Sequence, residues 1–312
     1  MKFVAREPLG EDNVNISKTS RLRELSLLVG GLSGLLVVGI LTVFLLVDVM
    51  VFIVTPSTEK RIFEKLPLGQ MTSFGGGTSE PGPDLKKLFT ELTTSWEDAP
   101  YDFRLVVSET STPNAFALPG GTILMTRGLC EMVSSENELA FVLGHELGHF
   151  RNRDHLRRVG RLMAARLVVA AVFSSSASGA LEDSMEFIEQ IVLLGFSREQ
   201  ELAADRFGAE ILAKVYGHLG GTEEFFQSLT KAGHSHEGAT AAFLSTHPVH
   251  EKRTKRIERY AKELGVPASG EKRAFSCNGT EDEADLYPAF DVGDEKAGQG
   301  PAAPMDGNVS VE

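Results

Sequence analysis

Residues 136–151, ENELAFVLGHELGHFR, decide the fold, because they carry an HExxH motif at 145–149 inside a helical pattern. Ser135 and Glu138 form a capping box, and apolar residues recur at helical spacing through the stretch, so the sequence predicts a helix from about residue 136 to beyond 151. Residues four apart on a helix differ by about 40° in direction and lie about 6 Å apart along its axis. Both histidines can therefore bind one metal ion from the same face.

Glu146 lies between these histidines, beside the candidate metal. It can accept a proton from an attacking water, which is the general-base role that this motif supports. The alternative is an ordinary amphipathic helix with two exposed histidines. We favour the metal, because His145, Glu146 and His149 lie among small or apolar neighbours, and burying three titratable groups without a partner is costly. With only two cysteines in the chain, we expect one Zn²⁺ per chain on histidine and carboxylate ligands.

A third ligand is predicted in the segment SREQELAAD, residues 197–205. Ser197 and Gln200 form a capping box, which places Glu201 and Asp205 on one face of a second helix. Glu201 would bind the metal, and Asp205 could accept the other ring N–H of a ligand histidine. Such a carboxylate pair alone is typical of a solvated helix face. The upstream HExxH, which still lacks a third ligand, favours the metal interpretation.

Four motifs together carry a family resemblance: HELGH, SREQELAAD, the upstream NAFALPGG and the downstream STHP. Their types and order resemble metallopeptidase family 48, which includes HtpX and the CAAX prenyl proteases, over about residues 84–265. The resemblance implies a gluzincin fold with zinc on His145, His149 and Glu201 and with Glu146 as the catalytic base. It implies a polypeptide as the substrate.

The resemblance also implies roles for residues outside the two helices. Residues 114–118 resemble the edge strand that pairs with an extended substrate, and residues 119–121 would shape the rim of the cleft. His247 matches a histidine that can donate to the oxyanion of the tetrahedral intermediate. From its own surroundings, a histidine before a proline indicates only the start of a capped helix. The residues that the resemblance assigns to substrate binding are Asn114, Ala115, Phe116, Ala117 and Arg253.

An uncharged apolar stretch at residues 25–47 is long enough, at about 35 Å, to cross a membrane as a helix. It is too long for a signal peptide, so we predict one uncleaved anchor in contact with membrane lipid. Five Lys or Arg residues precede the stretch and three follow it closely, which favours an extracytoplasmic catalytic domain. Gly30 and Gly34 form a GxxxG, a candidate surface for homo-oligomer formation, although glycine is common in membrane helices.

The sequence divides into five parts. These are an N-terminal segment on the cytoplasmic side (1–24), a transmembrane helix (25–54), a linker (55–83), a zinc metallopeptidase domain (84–269) and an acidic tail predicted to be disordered (270–312). Within the domain, a helix after Asp84, a strand at 101–108 and a hairpin of 114–118 with 122–126 precede a largely helical remainder. The predicted class is α+β, mainly helical, with a zincin-like domain and a small β-sheet.

Several features carry no predicted function. The net charge of −12, with no basic cluster, excludes a nucleic-acid footprint. A second apolar run at 167–180 is too short and too polar to cross a membrane. His234 and His236 form an HxH that is typical of an exposed loop, and no role is predicted for His155, His218 or His250.

Two functions remain after these exclusions. The first is a membrane-anchored zinc endopeptidase in quality control of misfolded or envelope proteins. A prenyl-protease function is disfavoured, because those members of the family enclose their site among many membrane helices and only one span is predicted here. The second is a chaperone-like binding module or assembly factor with a structural zinc site. The water-activating Glu146 favours the peptidase.

Overall fold

A computed structural model describes residues 20–63, 77–173, 195–234, 243, 245–247 and 251–276. Several sequence predictions fall outside these residues. They concern residues 1–19, part of the linker (64–76), the end of the second apolar run (174–180), His236, His250 and the tail beyond residue 276.

Helix α1 (Arg21–Ile53) agrees with the predicted transmembrane helix at 25–54 and begins four residues earlier. Ser20 caps it by accepting a hydrogen bond from the backbone N–H of Arg23. Its apolar side chains are exposed along nearly the whole helix. Within the described part of the chain, α1 is the one helix long and apolar enough to cross a membrane. A lipid environment would cover this surface, whereas water would leave a large apolar patch exposed.

Helix α2 (Pro56–Phe63) and strand β1 (Thr78–Ser79) lie inside the range assigned to a linker. The linker prediction names neither element. Both elements depend on tertiary contacts, because Glu59 of α2 is fully buried and β1 pairs with the next strand of the sheet. Elements this short carry too little periodicity to be recognised from sequence.

A four-stranded sheet in the order β1-β2-β4-β3 supports one side of the core. Its other strands are β2 (Arg104–Ser108), β3 (Ala115–Leu118) and β4 (Thr122–Thr126), where β2 and β4 are parallel and β3 and β4 antiparallel. The predicted hairpin is confirmed, although the strand predicted at 101–108 begins only at Arg104. Gly120 and Gly121 turn the chain with φ of 87° and 83°, a region that favours glycine. Strand β3 is thus an edge strand.

Helices form the rest of the described domain. The mainly helical α+β class with a small sheet is confirmed. The long helix that follows Ser135 is buried from Asn137 to Phe150 and packs against both β3 and the helix that carries Glu201. The helices are α3 (Pro83–Ser95), α4 (Arg127–Met132), α5 (Glu136–Arg151), α6 (Asp154–Phe173), α7 (Arg198–Tyr216), α8 (Thr222–His234) and α9 (Glu251–Leu264).

Helices α5 and α7 approach each other closely at positions that are occupied by glycine. A Cβ atom added to Gly144 would lie 3.1 Å from the Cα of Gly208, and one added to Gly148 would lie 2.7 Å from the Cα of Ala204. The second distance is shorter than real Cβ contacts allow. The absence of a side chain at Gly148 therefore brings the α7 segment with Glu201 against the HExxH segment of α5.

We expect Gly148→Val to lower the free energy of unfolding by about 3 kcal/mol, because the added side chain overpacks the contact between α5 and α7. Thermal unfolding of the detergent-purified protein measures this change. Gly39→Val is the matched control, since a Cβ at Gly39 meets nothing within 4 Å. Equal unfolding temperatures for wild type and Gly148→Val would contradict the close approach.

Candidate metal centre

Two imidazoles and one carboxylate converge between α5 and α7. The Nε2 atoms of His145 and His149 lie 3.1 Å apart, and the carboxylate oxygens of Glu201 lie 3.7 Å from the first and 3.6 Å from the second. All three residues are at most 2% exposed. Tetrahedral zinc with bonds of about 2.0–2.1 Å separates its ligand atoms by about 3.3–3.4 Å. The observed spacing therefore suits one zinc ion.

The charges around these ligands also fit a divalent cation. Four buried carboxylates face two buried guanidinium groups, those of Arg158 and Arg253, within the same cluster. With neutral imidazoles, these buried groups carry two more negative than positive charges, and the partly exposed Arg157 also pairs with Asp154 at 3.5 Å. A divalent cation would offset the negative charge that remains among the buried groups. The carboxylates belong to Glu146, Asp154, Glu201 and Asp205.

Asp205 lies one helical turn after Glu201 and contacts His145 through Oδ1 and Nδ1 at 3.0 Å. Burial would raise the pKa of Asp205, but the guanidinium of Arg253 and the contact with His145 together outweigh it and hold the pKa below its ordinary value. The ionised carboxylate can accept the Nδ1–H of His145, which leaves Nε2 free to bind a metal.

Arg253, which the resemblance assigns to substrate binding, lies inside the buried cluster. The residue is 2% exposed, and its guanidinium donates two hydrogen bonds to Asp205 at 2.6 and 2.7 Å. It also forms an ion pair with Glu201 at 2.8 Å. The structure therefore places Arg253 behind the carboxylates of Glu201 and Asp205, where it can fix their orientation.

Asp154 was missed by the sequence analysis. Its Oδ2 lies 3.1 Å from Nδ1 of His149, and its Oδ1 accepts a hydrogen bond from the side-chain amide of Gln200 at 2.7 Å. Burial would lower the pKa of His149, but Asp154 and Glu201 outweigh burial and raise it to about 9. The only signal for Asp154 in the sequence is that an acidic residue follows shortly after the HExxH helix. Acidic residues are common at such positions, so this signal is not specific.

Glu146 lies where α5 meets the edge strand. Its Oε2 accepts a hydrogen bond from the backbone N–H of Ala117 at 2.9 Å, whereas Oε1 has no hydrogen-bond partner among the described residues. The residue is fully buried. Strand β3 carries Ala115, Phe116 and Ala117, all buried, and Asn114 precedes it with its side chain bonded to the N–H of Ala115.

His247 joins the cluster from a segment far along the chain. Its Nδ1 lies 3.1 Å from Glu201 Oε1, and its Nε2 lies 3.5 Å from Glu146 Oε1. Together, His145, His149, Glu201 and His247 offer ligand atoms that all lie within 4.8 Å of one another. Burial lowers the pKa of His247, so that its neutral form is favoured.

Phe196, another residue that the sequence analysis missed, packs on this group. Its ring stacks on the imidazole of His149 with a centroid distance of 3.6 Å. The guanidinium of Arg158 lies 3.4 Å from the centroid of the same ring. The backbone N–H of Phe196 donates to the carbonyl oxygen of Thr246, so the segments that carry Phe196 and His247 are joined beside His149.

Comparisons with known proteins agree with this geometry. A family model described as peptidase family M48 matches residues 80–261. The mitochondrial metalloendopeptidase OMA1 of Schizosaccharomyces pombe is 32% identical over 53% of this chain and 48% of its own length. OMA1 of Danio rerio is 29% identical over 55% of this chain and 37% of its own length. The metalloprotease YcaL of Escherichia coli is 26% identical over 58% of this chain and 70% of its own length. The chain thus spans half or less of the two OMA1 relatives.

Proposed function

We propose that this chain, which belongs to peptidase family M48, is a membrane-anchored zinc endopeptidase that cleaves misfolded or membrane-associated proteins. One observation carries the proposal. His145, His149 and Glu201 meet with ligand spacing suited to zinc, and Glu146 lies against the edge strand with one oxygen that lacks a hydrogen-bond partner in the described structure.

The chemistry follows from the residues around the site. Zinc held by His145, His149 and Glu201 would supply a Lewis acid for the scissile carbonyl and would acidify water. Glu146 would accept a proton from the attacking water and pass it to the leaving amine. His247, in the tautomer that carries its proton on Nε2, would donate a hydrogen bond to the developing oxyanion; this atom lies 3.5 Å from Oε1 of Glu146.

A polypeptide would bind as an added strand along β3. Edge strands offer unpaired backbone groups, and such pairing accepts many sequences, which suits a quality-control substrate. The N–H of Ala117 already meets the catalytic carboxylate at 2.9 Å, so a peptide paired there would lie at the reacting group.

Helix α1 would anchor the domain in a membrane. The excess of basic residues before the span over those that closely follow it favours a catalytic domain on the extracytoplasmic side.

The test is proteolysis of unfolded casein by the full-length protein in detergent with one equivalent of zinc. We expect casein fragments, loss of cleavage after a chelator removes the metal, and recovery when zinc is restored. Elemental analysis confirms each state. Cleavage that continues at full rate in the metal-free protein would contradict the proposal. Protection of casein from aggregation without any cleavage would favour the binding module instead.

A further inference from the structure

The carboxylate of Glu59 has the densest set of donors of any acid outside the metal centre in the described structure. Glu59 belongs to α2, just after the membrane helix, and is fully buried. Its oxygens accept hydrogen bonds from the hydroxyl of Tyr101 at 2.8 Å, the backbone N–H of Gly120 at 2.9 Å and the guanidinium of Arg153 at 3.2 Å. The Nε2 of His155 lies 2.8 Å away.

Two of these partners, Arg153 and His155, follow closely after the end of α5, the helix that carries the HExxH motif. Arg153 and His155 flank Asp154, the residue that contacts His149. The Nδ1 of His155 also lies 3.3 Å from the carbonyl oxygen of His149. A change in the position of Glu59 would therefore reach the backbone of a proposed zinc ligand through one intervening side chain.

The other partners lie on the substrate side. Gly120 is in the turn that follows β3. Its hydrogen bond to Glu59 therefore fixes the end of β3, the strand along which we propose that the substrate binds. Tyr101 packs edge-on against Phe150 of α5 at a centroid distance of 5.2 Å. One carboxylate thus joins the two walls of the site, α5 and the β3–β4 turn.

The membrane helix is tied to the same place. Arg153 donates a hydrogen bond to the carbonyl oxygen of Val51 at 2.7 Å, and Arg157 forms an ion pair with Asp48 at 3.2 Å. A Cβ on Gly160 would lie 2.7 Å from Val47, so α6 packs directly along the end of α1. Direct contacts therefore link α1 to the residues at the end of α5.

The charge of Glu59 is maintained in this buried place. Burial would raise the pKa of the carboxyl, but the contacts with His155, Gly120 and Tyr101 outweigh burial and lower it to about 2. Glutamine has nearly the same shape but offers only one acceptor oxygen, and its NH₂ would face donors instead. A buried charged group that loses its partners is strongly unfavourable.

We infer that Glu59 is a positioning residue that holds the end of α5 and the β3–β4 turn together. This role makes α2, the helix just after the membrane span, a structural part of the active site. The inference rests on the proposed function for its kinetic consequence. Its structural consequence, the fixed position of β3 against α5, does not depend on peptidase activity.

The test compares Glu59→Gln with wild type as full-length proteins in detergent. We expect kcat on casein to fall by about 10- to 100-fold, because small displacements of reacting groups have effects of this size. Zinc content should stay at one per chain. Amide hydrogen exchange, followed by mass spectrometry, should become about 10-fold faster in peptides that cover residues 115–121 and 149–155.

Glu109→Gln is the control, since Glu109 also accepts hydrogen bonds from Ser79 and Arg127 but directly follows β2, which β4 separates from β3. It should leave exchange at residues 115–121 unchanged. If Glu59→Gln does not fold, Tyr101→Phe, which removes one donor, replaces it and should raise the same exchange by a smaller factor. Wild-type exchange at residues 115–121 in the folded variant would overturn the inference. This readout stays decisive if the wild-type protein cleaves nothing, an outcome that would refute only the proposed function.

Discussion

Glu146→Gln is expected to lower kcat about 1,000-fold, within the range of 10²–10⁴ that a positioned general base contributes. Glutamine keeps the shape of the side chain, and its oxygen can still accept from the N–H of Ala117, which lies 2.9 Å from the glutamate. It cannot take a proton from water. We therefore expect the fold and the zinc content to remain as in wild type. The measurement is steady-state cleavage of casein, with zinc determined on the same sample.

Glu199→Gln is the control for that substitution, because Glu199 is an exposed acid in the first turn of α7. It should retain wild-type kcat. Cleavage by Glu146→Gln within a few-fold of wild type would remove Glu146 from the chemistry. Loss of zinc together with loss of activity would instead assign it a role in metal binding.

Glu201→Ala is expected to weaken zinc binding by at least about 100-fold, since one of three proposed ligands is lost. Substitution of a residue that only hydrogen-bonds to a metal ligand already weakens binding by about 10- to 100-fold. It also leaves Arg253 without the ion pair at 2.8 Å, inside a site where that arginine is 2% exposed. A 100-fold weaker affinity corresponds to about 2.7 kcal/mol of lost stabilisation under saturating zinc. We expect a metal-free protein after dialysis and a lower unfolding temperature.

Elemental analysis and thermal unfolding measure these two changes. Glu210→Ala is the control, because Glu210 lies on the same helix and pairs only with Arg151 and Arg206 among the described residues. Stoichiometric zinc in dialysed Glu201→Ala would show that another residue completes the site. His247 would then be the first replacement to examine, because its Nδ1 lies 3.1 Å from Glu201.

The sequence predicted the parts of the site that depend on local patterns. Ser135 caps α5, the Ser197–Gln200 capping box begins α7, and glycine turns the β3–β4 hairpin. These signals act within a few residues, so they can be read without tertiary structure. The zincin-like α+β domain was predicted from the order of the motifs, and the family match confirms it.

The sequence did not reveal the contacts made across the fold. Asp154, Phe196 and His155 have no distinctive local pattern, yet each is buried against the site or its support. Arg253 was identified through the family motif, but its position behind Asp205 follows from the packing of α9 on α7. Glu59 was placed in a linker, because a short helix with one buried acid resembles an exposed turn in sequence.

The central claim is that one zinc ion is held by α5 and α7 together. The most direct measurement is anomalous diffraction at the zinc edge from crystals of the full-length protein. We expect one peak per chain, about 2.0–2.2 Å from Nε2 of His145, Nε2 of His149 and a carboxylate oxygen of Glu201. A zinc-replete crystal with no peak between these three residues, or with the peak on other ligands, would contradict the account.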